Sequence, residues 1–133
     1  MSYNQPAPSA VRRTRSTVLA VLVVVVAALG GVLGYRSPAY QDRLRRAAVA
    51  EYGSEEEAAR WVATAETSAH VSGDAVDIGR SDATAWLSAH GAGYGLCQVY
   101  GNEPWHYELR PEAVEHGCPP MYADPTQDPR TRQ

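Results

Sequence analysis

The sequence predicts a small α+β domain. Helix signals crowd its first half, short alternating strand signals occupy its second, and proline-rich and glycine-rich turns separate them. The 133 residues suffice for one modest domain. One apolar run near the start stands apart from that domain and reads as an N-terminal helix of its own.

In chain order, residues 1–16 read as a basic cytoplasmic tail, polar through Ala10 and then carrying Arg12, Arg13 and Arg15. Residues 17–34, TVLAVLVVVVAALGGVLG, contain no charge over 18 positions. That is about the shortest run that reads as a membrane span. The arginines before it predict a cytoplasmic N-terminus with the remainder outside. The small residues Ala27, Ala28, Gly30 and Gly31 also fit a cleavable signal region. The expectation is therefore a transmembrane anchor or signal segment, and an extracytoplasmic domain either held at the cell membrane or secreted.

Ser37 and Pro38 then open a helix running to about Ala50, with Leu44, Ala47 and Ala48 inward and Arg43, Arg45 and Arg46 in water. Gly53 breaks it. Ser54 and Glu57 form a capping-box pattern for a second helix carrying Ala58, Ala59, Trp61 and Val62. Thr64 to Ser68 is a connection, and Gly73 marks a turn. Ala75 to Ile78 reads as a short strand with Val76 and Ile78 on one face and Asp77 on the other. Ser81 caps a helix ending near His90 and Gly91. Leu96 to Tyr100 is a further strand, and so is Trp105 to Leu109, with His106, Glu108 and Arg110 opposite Trp105, Tyr107 and Leu109. Pro111 to His116 forms a short last helix. Residues 119–133, with Pro119, Pro120, Pro125 and Pro129, read as an irregular tail.

Charge narrows the function. All twelve basic residues are arginine, against fifteen acids, for a net charge of −3. The first 34 residues carry +3, so the outer part carries nine arginines against fifteen acids, a balance that disfavours a nucleic acid partner. Cys97 and Cys118 lie in the outer part, where an oxidising compartment favours their pairing.

Two segments carry chemistry: Ser68-Ala69-His70-Val71-Ser72-Gly73-Asp74-Ala75-Val76-Asp77 and Glu103-Pro104-Trp105-His106. His70, Asp77 and His106 offer two nitrogens and one oxygen, which leaves a fourth tetrahedral position open on a zinc ion. Asp77 and His106 both sit opposite the apolar face of their strands, and a convergence of His70 and Asp77 from neighbouring sheet positions is expected. Glu103 is placed to take a proton from water activated by the metal. His90 and His116 each precede a glycine at a helix end, where a structural role is the simpler reading.

The joint pattern SxHxxGxAxD followed by ExWH resembles the VanY-type D-alanyl-D-alanine carboxypeptidases, zinc metallopeptidases of the bacterial cell wall. Gly34-Tyr35-Arg36-Ser37-Pro38-Ala39-Tyr40-Gln41 is similar to the GYRS-x-x-x-Q segment of that family. The resemblance implies a small, mainly antiparallel sheet with helices on one side and a zinc site on the other, spanning residues 35–118. It implies one zinc ion per chain held by His70, Asp77 and His106, with Glu103 as base and Arg36 stabilising the carbonyl oxygen. Ser68, Arg36, Gln41 and Trp105 would contact the substrate, a peptidoglycan peptide ending in D-Ala-D-Ala. The apolar run meets the Arg36 segment directly, so a shortened domain is expected. The alternative function is then a non-catalytic, zinc-stabilised module that binds the cell wall.

Overall fold

The computed structural model describes residues 34–79 and 81–132, all within one unit. Helix α1 spans Pro38–Tyr52, α2 Glu55–Ala59 and α3 Ala69–Ser72; strand β1 spans Ala75–Asp77; helix α4 spans Ser81–His90 and runs into a 3-10 turn, Gly91–Tyr94. Strands β2, Leu96–Gln98, and β3, His106–Leu109, follow, then helix α5, Ala113–His116, and two 3-10 turns, Pro125–Gln127 and Pro129–Thr131. The α+β expectation holds at this level.

The caps explain where the first helices begin. Ser37 Oγ accepts the Tyr40 amide at 3.2 Å and Pro38 fills the first turn of α1. Gly53 closes it in the left-handed region, φ +87°, and its amide donates to the Val49 carbonyl. Ser54 caps α2 by accepting the Glu57 amide at 3.1 Å, with Glu55, Glu56 and Glu57 at the positive end of the helix. This helix stops at Ala59, short of Trp61 and Val62. Tertiary contacts end it: Asn102 Nδ2 donates to the Arg60 carbonyl at 2.8 Å, and Trp61 stacks on Tyr52 of α1 with ring centroids 5.8 Å apart.

The three strands are antiparallel in the order β1-β3-β2, with β3 central. Val76 opposes Tyr107 across the β1-β3 ladder, and the Tyr107 hydroxyl donates to the Thr84 carbonyl of α4. Helix α4 therefore covers that face. On the opposite face Asp77 pairs with His106 and Ala75 with Glu108. The strands are shorter than their sequence pattern predicted. Val99 and Tyr100 leave β2 to pair with the tail instead: the Tyr122 amide donates to Val99, and Gly101 and Asn102 donate to the Tyr122 and Ala123 carbonyls.

That pairing docks the tail, whose described residues hold only 3-10 turns and an isolated bridge, on the domain. Residues 119–133 include two capped turns docked on the domain: Asp124 accepts from the Thr126 amide and Asp128 from the Arg130 amide. Asp124, Pro125 and Asp128 are buried. The Cys97–Cys118 disulfide forms and ties the start of the tail to β2. A loop of 21 residues closed in this way stabilises a fold by about 3 kcal/mol in the chain-entropy model.

Two side-chain expectations on α1 also change. Arg45 is mostly buried, bonded to Glu55 and to the Val62 carbonyl, because it fastens α1 to the end of α2. Gln41 is fully buried. The predicted anchor, residues 17–34, lies outside the described residues except for Gly34, which is buried in the domain beside His70. Among the described residues no helix is long and apolar enough to cross a membrane.

Candidate metal centre

The sheet face opposite α4 carries the site. Asp77 ends β1 and His106 begins β3, and the ladder puts them directly across from one another. His70 comes from α3, where the sequence predicted a sheet position. The short helix arises because Ser68 to Gly73 closes one turn, with the Val71 and Ser72 amides donating to the Ser68 carbonyl and Gly73 terminating it at φ +86°. A backbone bond from the Arg36 amide to the His70 carbonyl, 3.1 Å, brings the Gly34–Arg36 segment alongside.

Three potential ligand atoms converge. His70 Nε2 lies 3.2 Å from His106 Nδ1 and 3.3 Å from Asp77 Oδ1, and His106 Nδ1 lies 3.6 Å from that same oxygen. All three fall within 4.8 Å of one another. The outward nitrogens are both held: His70 Nδ1 is 2.7 Å from the Gly34 carbonyl, and His106 Nε2 is 3.2 Å from Glu108 Oε1. Each ring donates its outer N–H to an oxygen, so each presents a lone pair inward. Two lone pairs and a carboxylate oxygen at these separations repel one another until a cation or a proton lies between them. Asp77 Oδ1 is buried and accepts no hydrogen bond. The donor set therefore fits a divalent ion of the zinc type.

Glu103 stands at the rim of this cluster, its Oε2 3.7 Å from His106 Nδ1 and its buried Oε1 without a hydrogen bond. Burial pushes its carboxyl up to about 7, the His106 charge opposing and Asp77 adding to the shift. Asp77 behaves in the opposite way. Burial disfavours its charge, but the His106 and His70 rings within 3.6 Å of Oδ1 and the charge of Arg36 outweigh burial and hold it well below the usual carboxylate range. Burial likewise opposes a charged His106, yet the carboxylates of Asp77 and Glu108 at its two ring nitrogens, with Glu103 nearby, raise it to about 9 in the absence of a metal.

Arg36 enters from the segment before α1 and bonds to Asp77 Oδ2 and, at 3.4 Å, to Gln41 Oε1. Gln41 Nε2 donates to the Ala63 carbonyl at 2.8 Å. Both ends of this amide are therefore engaged within the protein. The cluster lies in a cleft of about 430 Å³. Ser68 and the half-exposed Trp105 line it, as do Leu44, Tyr52 and Trp61. The structure thus gathers every predicted site residue about one cleft, while His90 bonds to the Trp86 carbonyl of its own helix, away from it.

Sequence reasoning passed over Glu108. Its alternation with His106 on β3 was the available signal. The Gly34 carbonyl left no signal, because any residue carries one.

The profile of the VanY family, described as D-alanyl-D-alanine carboxypeptidase, matches residues 25–112. The chain belongs to this family. Solved VanY structures are similar to it. One is VanYB in complex with D-alanine-D-alanine, at 27% identity over 77% of this chain and 71% of that one, TM-score 0.58. Another is a mutant of the vancomycin resistance D,D-pentapeptidase VanY in complex with Zn(II), at 28% identity over 71% of this chain and 69% of that one, TM-score 0.55. A third is the L,D-carboxypeptidase DacB from Streptococcus pneumonia, at 27% identity over 77% and 70%, TM-score 0.54. No curated protein sequence gives a significant match. Membership of the VanY family supports a peptidase of the D-Ala-D-Ala or L,D-carboxypeptidase type.

Proposed function

We propose that this chain is a zinc-dependent D-alanyl-D-alanine carboxypeptidase that trims peptidoglycan stem peptides outside the cytoplasmic membrane. Residues 17–34 would either anchor it there or direct its secretion. The observation that carries the reading is the inward convergence of His70 Nε2, His106 Nδ1 and Asp77 Oδ1 beside a proton-accepting carboxylate in an open cleft. His70, Asp77 and His106 hold one zinc ion, and the zinc-complexed VanY structure supports that choice of metal. When bound, zinc supplies Lewis-acid polarisation of a carbonyl and acidification of water.

The protein's own groups do the rest. Glu103 takes a proton from the attacking water and returns it to the departing D-Ala amine; a carboxyl displaced towards about 7 exchanges protons readily near neutrality. Arg36 supplies a fixed positive charge for the oxygen that gains charge in the transition state. Gln41, with both amide ends used inside the protein, holds Arg36 in place rather than gripping substrate. Ser68 and Trp105 contribute a hydroxyl and an aromatic wall to the peptide cleft.

Likeness to an L,D-carboxypeptidase favours a second specificity, in which the residue before the scissile bond has L configuration. One experiment separates the possibilities. The soluble portion, loaded with zinc, is given a stem pentapeptide ending in D-Ala-D-Ala and a tetrapeptide ending in an L-residue followed by D-Ala. Release of D-Ala from the pentapeptide, abolished by a chelator and restored by zinc, is expected. Release from the tetrapeptide alone would assign the L,D specificity. Tight zinc binding with no release from either would point to the non-catalytic wall-binding module.

A further inference from the structure

Glu108 sits behind His106 and is fully buried, which an isolated carboxylate would not tolerate. It is held from two sides. Its Oε1 accepts from His106 Nε2 at 3.2 Å and from Arg130 Nη2 at 3.3 Å; its Oε2 accepts from Arg130 Nη1 at 2.7 Å and from Arg110 Nη2 at 2.9 Å. Arg130 thus grips the carboxylate with two nitrogens, the fork geometry peculiar to arginine.

Arg130 is itself fixed. Its Nε lies 3.0 Å from Asp128 Oδ1, its Nη2 bonds to Asp128 Oδ2, and Asp128 also caps the 3-10 turn that carries Arg130. Asp128 is fully buried and accepts the Tyr100 hydroxyl at 3.0 Å. The Tyr100 ring returns to His106, centroids 5.0 Å apart. The path closes: His106, Glu108, Arg130, Asp128, Tyr100 and back to His106. Arg130 within it and Arg110 beside it offset the charges of Glu108 and Asp128, which lets Glu108 stay ionised although buried.

Resting on the metal-centre reading above, we infer that Arg130 is a positioning residue for the metal: through Glu108 it fixes the ring of His106 with Nδ1 turned inward. The C-terminal segment, beyond the residues 25–112 that the family profile matches, is then a working part of the site. A carboxylate that accepts the outer N–H of a metal-ligating histidine sets its orientation and basicity, and losing such a partner typically weakens metal binding by about 10–100-fold. Arg130 secures that carboxylate.

The test measures zinc affinity on the full chain by competition with a chelating dye, for wild type, Glu108→Gln, Arg130→Met, the double variant and Arg130→Lys. Each Glu108 and Arg130 single variant is expected to weaken zinc binding, Arg130→Met by about tenfold. Because Arg130 acts through Glu108, the double variant should be no weaker than Glu108→Gln alone. Arg130→Lys keeps the charge but not the fork, so it should recover part of the loss. Thr131→Val, which loosens the same turn at its bonds to the Pro125 and Asp128 carbonyls, should leave affinity unchanged. Wild-type affinity in Arg130→Met, or losses that multiply in the double variant, overturns the inference. If Arg130→Met does not fold, Arg130→Lys decides, and full affinity there overturns it. A wild-type chain that binds no zinc defeats the metal-centre reading itself, a different outcome.

Discussion

Asp77 and His106 face each other across the β1-β3 ladder, with Oδ1 and Nδ1 3.6 Å apart. Their approach is a property of strand register, since a slip of β1 by one residue would send Asp77 to the face away from His106. Asp77→Asn keeps the size and the register while removing the charge. Zinc affinity is expected to fall by at least 100-fold, because the amide offers a weaker ligand and leaves Arg36 facing the ion uncompensated. Circular dichroism should be unchanged. Retained affinity, measured by dye competition, would remove Asp77 from the ligand set.

Glu103→Gln should separate metal binding from catalysis. Glu103 lies outside the three converging ligand atoms, so zinc content should stay near one ion per chain while D-Ala release falls by about 10²–10⁴-fold, the usual contribution of a positioned acid-base group. Comparable loss of zinc and of turnover would instead make Glu103 a ligand.

The metal-free protein should be most stable in mildly acid solution. Glu103 at about 7 and His106 at about 9 both bind protons more tightly when folded, so their contribution is present at low pH and is lost as pH rises through those values. Glu108 at about 2 and the depressed Asp77 bind protons less tightly when folded, so their contribution is present above about pH 4.5 and is lost as pH falls. The two trends cross near pH 4.5. Urea unfolding of the chelator-treated protein at pH 3, 4.5, 6 and 8 should show that maximum. Added zinc should restore stability at pH 8 by binding only the folded form. A metal-free maximum at pH 8 would contradict this charge assignment.

Gly91→Ala should destabilise without touching the site. A methyl group at Gly91 would stand 2.5 Å from the Leu96 carbonyl oxygen, so the junction of α4 and β2 must shift. A cost of about 1–3 kcal/mol, the range for overpacking, is expected in thermal or urea unfolding. Zinc affinity of the folded fraction should match wild type.

Much of this architecture was legible in the letters. Ser37 and Gly53 bound α1 because cap chemistry is local, and alternation put His106 and Glu108 on one face of β3. What escaped notice depends on distant partners. The four-residue helix bearing His70 is too short to leave a periodic pattern. The end of α2 is set by Asn102, forty-two residues away. The resemblance implies a substrate contact for Gln41, whereas Arg36 and the Ala63 carbonyl engage both its ends. The tail was read as irregular because prolines forbid regular strands, yet prolines also open the two turns that deliver Asp128 and Arg130.

Two of the three tryptophans, Trp61 and Trp105, border the cleft, while Trp86 stacks on His90 elsewhere. The molecule therefore carries built-in fluorophores. A peptide bound in the cleft is expected to displace solvent from those indoles, so emission intensity should follow occupancy in real time, with no label and no turnover.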